Sequence, residues 1–245
     1  MLTVKFYPMR IPFTTVMLLL GTFTLPAQDR EKDPMARDRD LSGFDRIEVK
    51  NGIDLFLVED DRETVAVSAR ETEARDRIVT RVSNGTLFIY YDLKGGFRWP
   101  LNMKLKVYVS FRDLKGLSAS GACNVFVEGR IRAENFRLQL SGASDFTGAI
   151  EAGGLDIEQS GSSDCALRGK ARILKLDISG ASETKAFDLQ AEEAAVKVGG
   201  ASDVFLTVSG TLDASASGAS DIRYKGKGVI KSIQSGTASS VKKVD

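Results

Sequence analysis

From about residue 115 onward, apolar residues recur at every second position in short runs. Phe136, Leu138 and Leu140 form one such run, and Leu174, Leu176 and Ile178 another. Val125 and Val127, Val204 and Leu206, and Ile222 and Tyr224 are further examples. Alternation with period 2 buries one side of an extended strand and wets the other. The runs come in pairs, and between the members of each pair stands a phrase of small and acidic residues. It reads Ser141-Gly142-Ala143-Ser144-Asp145, then Ser160-Gly161-Ser162-Ser163-Asp164, then Ser179-Gly180-Ala181-Ser182-Glu183. Variants stand at Ser120–Asn124, Gly199–Asp203 and Ser217–Asp221, and a frayed copy closes the chain at 235–240. Successive central glycines are 21, 19, 19, 20, 18 and 18 residues apart.

Two short strands and a tight turn in about 19 residues make one coil of a solenoid. A unit that thin buries its apolar face only by stacking on its neighbours. Tetratricopeptide and HEAT repeats are longer with period 3.6, and the Leu/Asn signature of leucine-rich repeats is absent. The expected class is all-β: a parallel β-solenoid or β-helix-like body over residues 115–245. Residues 43–114 are expected to be a less regular β part of the same body. There Ile47 and Val49 alternate, then Ile53, Leu55 and Leu57, around Asn51-Gly52. Asn84-Gly85 divides two further runs as a hairpin turn would, and Met103 to Val109 forms another alternating strand. Only Glu71–Asp76 suits a helical turn.

Residues 1–27 carry Lys5 and Arg10 ahead of an apolar stretch and end in Leu25-Pro26-Ala27, the pattern of an export signal. That stretch is short for a membrane span, so the mature chain is expected to have no transmembrane segment. Residues 28–42 are charged and aperiodic and read as a flexible mature N-terminus. Removing the leader turns the net charge of +1 into −1, so no basic footprint for nucleic acid exists. The chain has no histidine, which excludes histidine-based triads and His-ligated metal sites. The five prolines lie at or before position 100, while 17 of the 23 glycines lie after it, marking turns rather than linkers. Cys123 and Cys165 occupy different repeat positions two coils apart, roughly 10 Å by rung spacing, too far for a disulfide. They are expected to be free and buried.

Stacking the repeats brings Asp145, Asp164, Glu183, Asp203 and Asp221 into one acidic row headed by Asn124. Carboxylates roughly 5 Å apart repel by about 1 kcal/mol in water. Either solvent and turn capping absorb this, or a cation such as Ca²⁺ does. A row of serines runs beside it and suits either hydrogen bonding to a glycan or tight turn packing. Phe97, Arg98 and Trp99 form an aromatic segment that either stacks on a sugar or partner or covers a solenoid end. Exposed solenoid ends invite self-association, which Lys225, Lys227, Lys231, Lys242 and Lys243 would blunt. No serine has an activating base, so no catalytic residue is assigned and no cofactor is expected.

The run Phe44-Asp45-Arg46-Ile47-Glu48-Val49, then Gly52-Ile53-Asp54-Leu55, Gly85-Thr86-Leu87-Phe88-Ile89 and the serial Ser-Gly-Ala-Ser-Asp copies resemble the head GIN domain group of bacterial autotransporter adhesins over residues 43–245. The resemblance implies an exported, β-helix-like envelope protein, periplasmic or at the surface, without catalytic residues. The expected function is non-enzymatic adhesion to a glycan or an envelope or surface protein. The alternatives are a β-helix enzyme of polysaccharide-lyase type, using residues such as Arg112, Arg130, Arg132, Arg168 and Arg172, or a purely structural, self-assembling scaffold.

Overall fold

A computed structural model describes residues 33–93 and 103–245. The expected leader, residues 1–27, and the segment Phe97-Arg98-Trp99 lie outside the described residues.

The repeats form strands that stack in parallel. β8 (Gly116–Ser120) and β9 (Asn124–Glu128) make one rung around the turn at Gly121. β10 (Ile131–Ser141) and β11 (Asp145–Gln159) begin the next. β11, β12 (Asp164–Ile178), β13 (Glu183–Val198) and β14 (Asp203–Ala216) are long because each runs past a corner and forms parts of two rungs. Residues 146–152 of β11 pair with 165–171 of β12, and residues 154–159 with 173–178, so each repeat lies directly over its neighbour. β15 (Asp221–Lys225), β16 (Val229–Ser235) and β17 (Ser240–Lys243) make the last rungs, with β16 on β14 and β17 on β15. The parallel solenoid with about 19 residues per coil is the architecture the periodicity predicts.

The N-terminal part joins the same sheet, but in an order its sequence does not display. β2 (Arg46–Lys50) and β3 (Asp54–Glu59) form a rung around Asn51-Gly52, both with positive φ. That rung lies inside the stack. β2 pairs with β6 (Thr86–Tyr91) on one side and β8 on the other, and β3 likewise with β7 (Lys106–Phe111) and β9. The chain lays down this rung first, then adds the outer one, then crosses to continue the repeats.

Antiparallel strands close that end. β4 (Thr64–Ser68) pairs with β7, and β5 (Ile78–Ser83) with β6 through the Asn84-Gly85 turn, whose φ values of 50° and 74° are those of a tight hairpin. The single described helix, α1 (Thr72–Asp76), lies between β4 and β5. Residues 37–39 depart from the flexible segment expected at 28–42: they form β1 (Arg37–Arg39), antiparallel to β4. Nearby, Tyr108 donates a 3.0 Å hydrogen bond to Asp33. Burial alone would raise the Asp33 pKa, but bonds from Ser68, Tyr108 and the Met35 N–H outweigh it and hold the carboxyl below its ordinary value.

Inward positions stack in columns. Phe146, Cys165, Thr184, Val204 and Ile222 occupy one, and Leu138, Ile157, Leu176, Val196 and Ala214 face them from the other side; all are buried. Two polar residues enter this core and satisfy each other. Gln159 donates to the Ser163 carbonyl at 2.9 Å and accepts from the Thr184 hydroxyl, so neither leaves an unmet group in the apolar interior. Cys123 and Cys165 are buried free thiols, and burial raises the pKa of both.

Candidate functional site

The turn phrase divides its labour between an inner and an outer row. The serine after each Gly-Ala points inward: Ser144, Ser163, Ser182, Ser202 and Ser220 are all buried. The Ser182 hydroxyl donates to the Ser179 carbonyl three residues back (3.1 Å) and accepts the Ser163 N–H of the preceding rung (3.4 Å). Ser163 repeats both bonds, to the Ser160 carbonyl and from Ser144 N–H. Cys123 takes the serine's place in the first copy, where its thiol meets the Ser120 carbonyl. This row is a structural spine out of a ligand's reach. The glycines before it also stack. Ala181 and Ala201 N–H each donate 2.7 Å bonds to the Gly161 and Gly180 carbonyls one rung away.

The acidic row is real and outward. Asp164 is in register with Glu183, Glu183 with Asp203, and Asp203 with Asp221; at the other end Asp145 is in register with Asn124, and Asn124 with Asp54. Its charge is largely met within the fold. Lys185 pairs with Glu183 at 2.6 Å, and that bond raises the lysine pKa. Arg223 reaches Asp221 at 2.8 Å and Asp203 at 3.5 Å. Asp145 accepts the Asp164 N–H, Ser240 donates to Asp221, and Asn124 donates to Asp54 at 2.7 Å. Capping therefore runs between rungs rather than within each turn. Among the described residues no three acidic or thiol side chains converge as a metal site would require.

Beside the acids runs a second outward column that the repeat phrase does not announce. Tyr108, Phe56 and Phe126 stack face to face on successive rungs, with centroids 5.2 and 5.3 Å apart. Thr147, Ala166 and Lys185 continue the column, and Phe205 and Arg223 follow. Phe187 packs edge-on against Phe205 at 5.4 Å, with Arg223 over one ring and Lys225 over the other. Phe56, Phe126, Phe187 and Phe205 are all partly exposed. Two aromatic patches thus flank Thr147, Ala166 and Lys185.

A furrow crosses the other outer face. One part of it, about 360 Å³, is lined by Lys115, Asn135, Arg137, Asp156, Arg172 and Lys175 around Gly154. Two further depressions continue it through Lys115 and Arg46 to Asn84 and Gly85. Lys115 pairs with Asp45 at 2.8 Å, and that bond is the chief reason the Asp45 carboxyl lies below its ordinary pKa. Of the arginines considered for a lyase, Arg112 pairs with Glu63 (3.5 Å), Arg130 with Glu151, and Arg132 with Glu59 (3.1 Å).

Residues 43–228 match the family described as "Putative auto-transporter adhesin, head GIN domain". No curated protein matches the chain. Among solved structures, a "putative adhesin" from Bacteroides fragilis is similar with a TM-score of 0.80 and 21% identity, covering 85% of this chain and 96% of that one. A "putative adhesin" from Parabacteroides merdae gives 0.69 and 17%, covering 86% and 95%. A "putative lipid binding protein" from Parabacteroides distasonis gives 0.66 and 22%, covering 87% and 97%. At these identities the likeness is one of fold.

Proposed function

Since the chain belongs to the family described as "Putative auto-transporter adhesin, head GIN domain", we propose that it is an exported, non-enzymatic adhesion module of the cell envelope or surface. It holds an extended ligand, best a glycan strand, along the solenoid axis. The observation that carries this reading is the outward column from Phe56 to Arg223. The partly exposed rings of Phe126, backed by Phe56, and of Phe205, backed by Phe187, stand on either side of Thr147, Ala166 and Lys185. From Phe126 to Phe205 is four rungs, about 19 Å along the axis. Exposed aromatic rings suit the apolar faces of sugar rings, and the neighbouring Asp145 and Asp164 supply acceptors for hydroxyls. Spaced weak contacts to a repeating polymer add by effective concentration. Three of the five arginines weighed for a lyase, Arg112, Arg130 and Arg132, are paired with glutamates and so poorly placed for one.

A glycan array tests the reading. The protein is expected to retain a subset of glycans, and Phe126→Leu with Phe205→Leu, which keep apolar bulk but remove the ring faces, to lose them at an unchanged melting temperature. Retention by the double variant would overturn the placement. Release of unsaturated products from uronate polymers would overturn the non-enzymatic reading.

A further inference from the structure

We propose that the furrow around Gly154 is a separate binding site for the acidic groups of an anionic saccharide, a carboxylate or a sulfate ester. The proposal rests on the adhesion reading and adds a ligand class to it. The furrow exists because two outward positions carry no side chain. Gly116 and Gly154 occupy columns where other rungs place Arg137 or Ile173, so neighbouring side chains lean in over them and form the walls. At Gly116 a Cβ would stand 3.6 Å from the Arg137 carbonyl oxygen and 3.7 Å from the Arg46 alkyl chain. Over Gly154 leans the Asn135 side chain, its amide oxygen 2.5 Å from where a Cβ would stand.

The charge of the walls selects the ligand. Lys115, Arg137, Arg172 and Lys175 line this part against one carboxylate, Asp156. Arg137 is held in place by Asp156 and Glu158, and Lys115 by Asp45. Arg172 and Lys175 have no ion-pair partner among the described residues and are free to meet an incoming anion. Register supplies the spacing. Arg46, Gly116, Arg137, Asp156 and Lys175 stand on five successive rungs of one column, about 19 Å from end to end. Cations separated by whole rungs match acidic groups repeated along a polymer. Glu158 and Asp177 occupy the next outward column and repel a broad polyanion. The site therefore favours discrete acidic groups seated against Arg172 and Lys175, and binding weakens as salt screens them. A guanidinium and an ammonium lining one furrow recognise a carboxylate or sulfate by charge-assisted hydrogen bonds.

The test measures binding of the full chain to oligogalacturonate, which carries carboxylates, to dextran sulfate, which carries sulfate esters, and to neutral dextran, at low and high salt. One or both polyanions are expected to bind, more weakly at high salt, and neutral dextran not to bind. Comparing the two polyanions identifies the acidic group. Arg172→Ala with Lys175→Ala, both surface positions, is expected to weaken binding about tenfold or more at an unchanged melting temperature. Asn135→Ala is expected to weaken it without altering the salt dependence. Lys242→Ala with Lys243→Ala, on the last rung, is expected to change nothing. Failure of both polyanions to bind, or equal loss from the last-rung variant, overturns the proposal. Retention of neutral glycans through Phe126 and Phe205 in that event leaves the adhesion reading standing.

Discussion

Gly180 tests whether rung-to-rung packing at the turns, rather than turn conformation alone, holds the stack. Its φ is +90°, a region where an L side chain costs about 1–2 kcal/mol. A Cβ there would also stand 2.8 Å from the Gly161 amide nitrogen and closer still to the Gly161 carbonyl oxygen, both backbone atoms with no rotamer to yield. Relief requires the turn to lift off its neighbour. That weakens the Ala181 N–H bond to Gly161, about 0.5–1.5 kcal/mol, and adds the roughly 1–3 kcal/mol typical of overpacking. Gly180→Ala is therefore expected to cost roughly 3–6 kcal/mol, a large part of a domain's ordinary stability. Gly129 is the control. It has φ +69° but open space around its would-be Cβ, so Gly129→Ala should cost only the conformational part, about 1–2 kcal/mol. Both substitutions remove the same unfolded-state freedom, so that effect cancels in the comparison. Urea titrations followed by far-ultraviolet circular dichroism measure the two losses. Equal losses would refute the reasoning.

Ser182→Ala should destabilise by about 1–3 kcal/mol, because it strands the buried Ser163 N–H, while Ser162→Ala on the exposed side of a turn should stay within about 0.5 kcal/mol; the same titrations decide. Cys165 is fully enclosed and burial raises its thiol pKa, so iodoacetamide should leave it unmodified in the native protein and label it in urea; fast native labelling by mass spectrometry would contradict its placement. Asp45 has a lowered folded pKa through Lys115, so its contribution is present above the unfolded carboxylate pKa and lost as pH falls through the folded one. Asp45→Asn should flatten the acid limb of a melting-temperature profile, and an unchanged limb would remove the ion pair as a source of stability.

The repeated phrase made the solenoid legible because the same physical demand recurs at every turn. Backbones one rung apart admit only glycine at Gly142, Gly161 and Gly180, and the hydroxyl that bonds both its own turn and its neighbour must be small. The N-terminal order was not legible. Nothing in Arg46–Lys50 reveals that β2 sits between β6 and β8, because alternating strands of similar length pair equally well with several partners. The outer face was legible only in part. The acidic row could be drawn from the phrase itself, but the aromatic column required register. Central glycines 20 and then 18 apart show that two residues must be absorbed somewhere between β13 and β14. The structure absorbs them mainly where Ala186 faces Leu206 and Gln190 faces Thr207. That irregularity sets Phe187 beside Phe205, with the Thr207 hydroxyl bonded to the Phe187 carbonyl at 2.7 Å.

The same geometry separates what keeps the fold from what recognises a ligand. An inward residue such as Thr184 is tied to Gln159 on the opposite side of the core, so changing it disturbs two rungs and a buried hydrogen bond. An outward residue such as Thr147 or Ala166 meets mainly its column neighbours and solvent, so its replacement leaves the core intact. In a stack whose rungs interact chiefly with the next, such changes stay local. The outer columns can therefore take on new ligand chemistry one rung at a time while the glycines and inner serines hold the register. This accounts for solved structures that keep the fold at 17–22% identity. Under the two proposals above, specificity would reside in outward residues on two outer faces, Phe126 and Phe205 on one and Arg172 and Lys175 on the other, rather than in the repeated phrase.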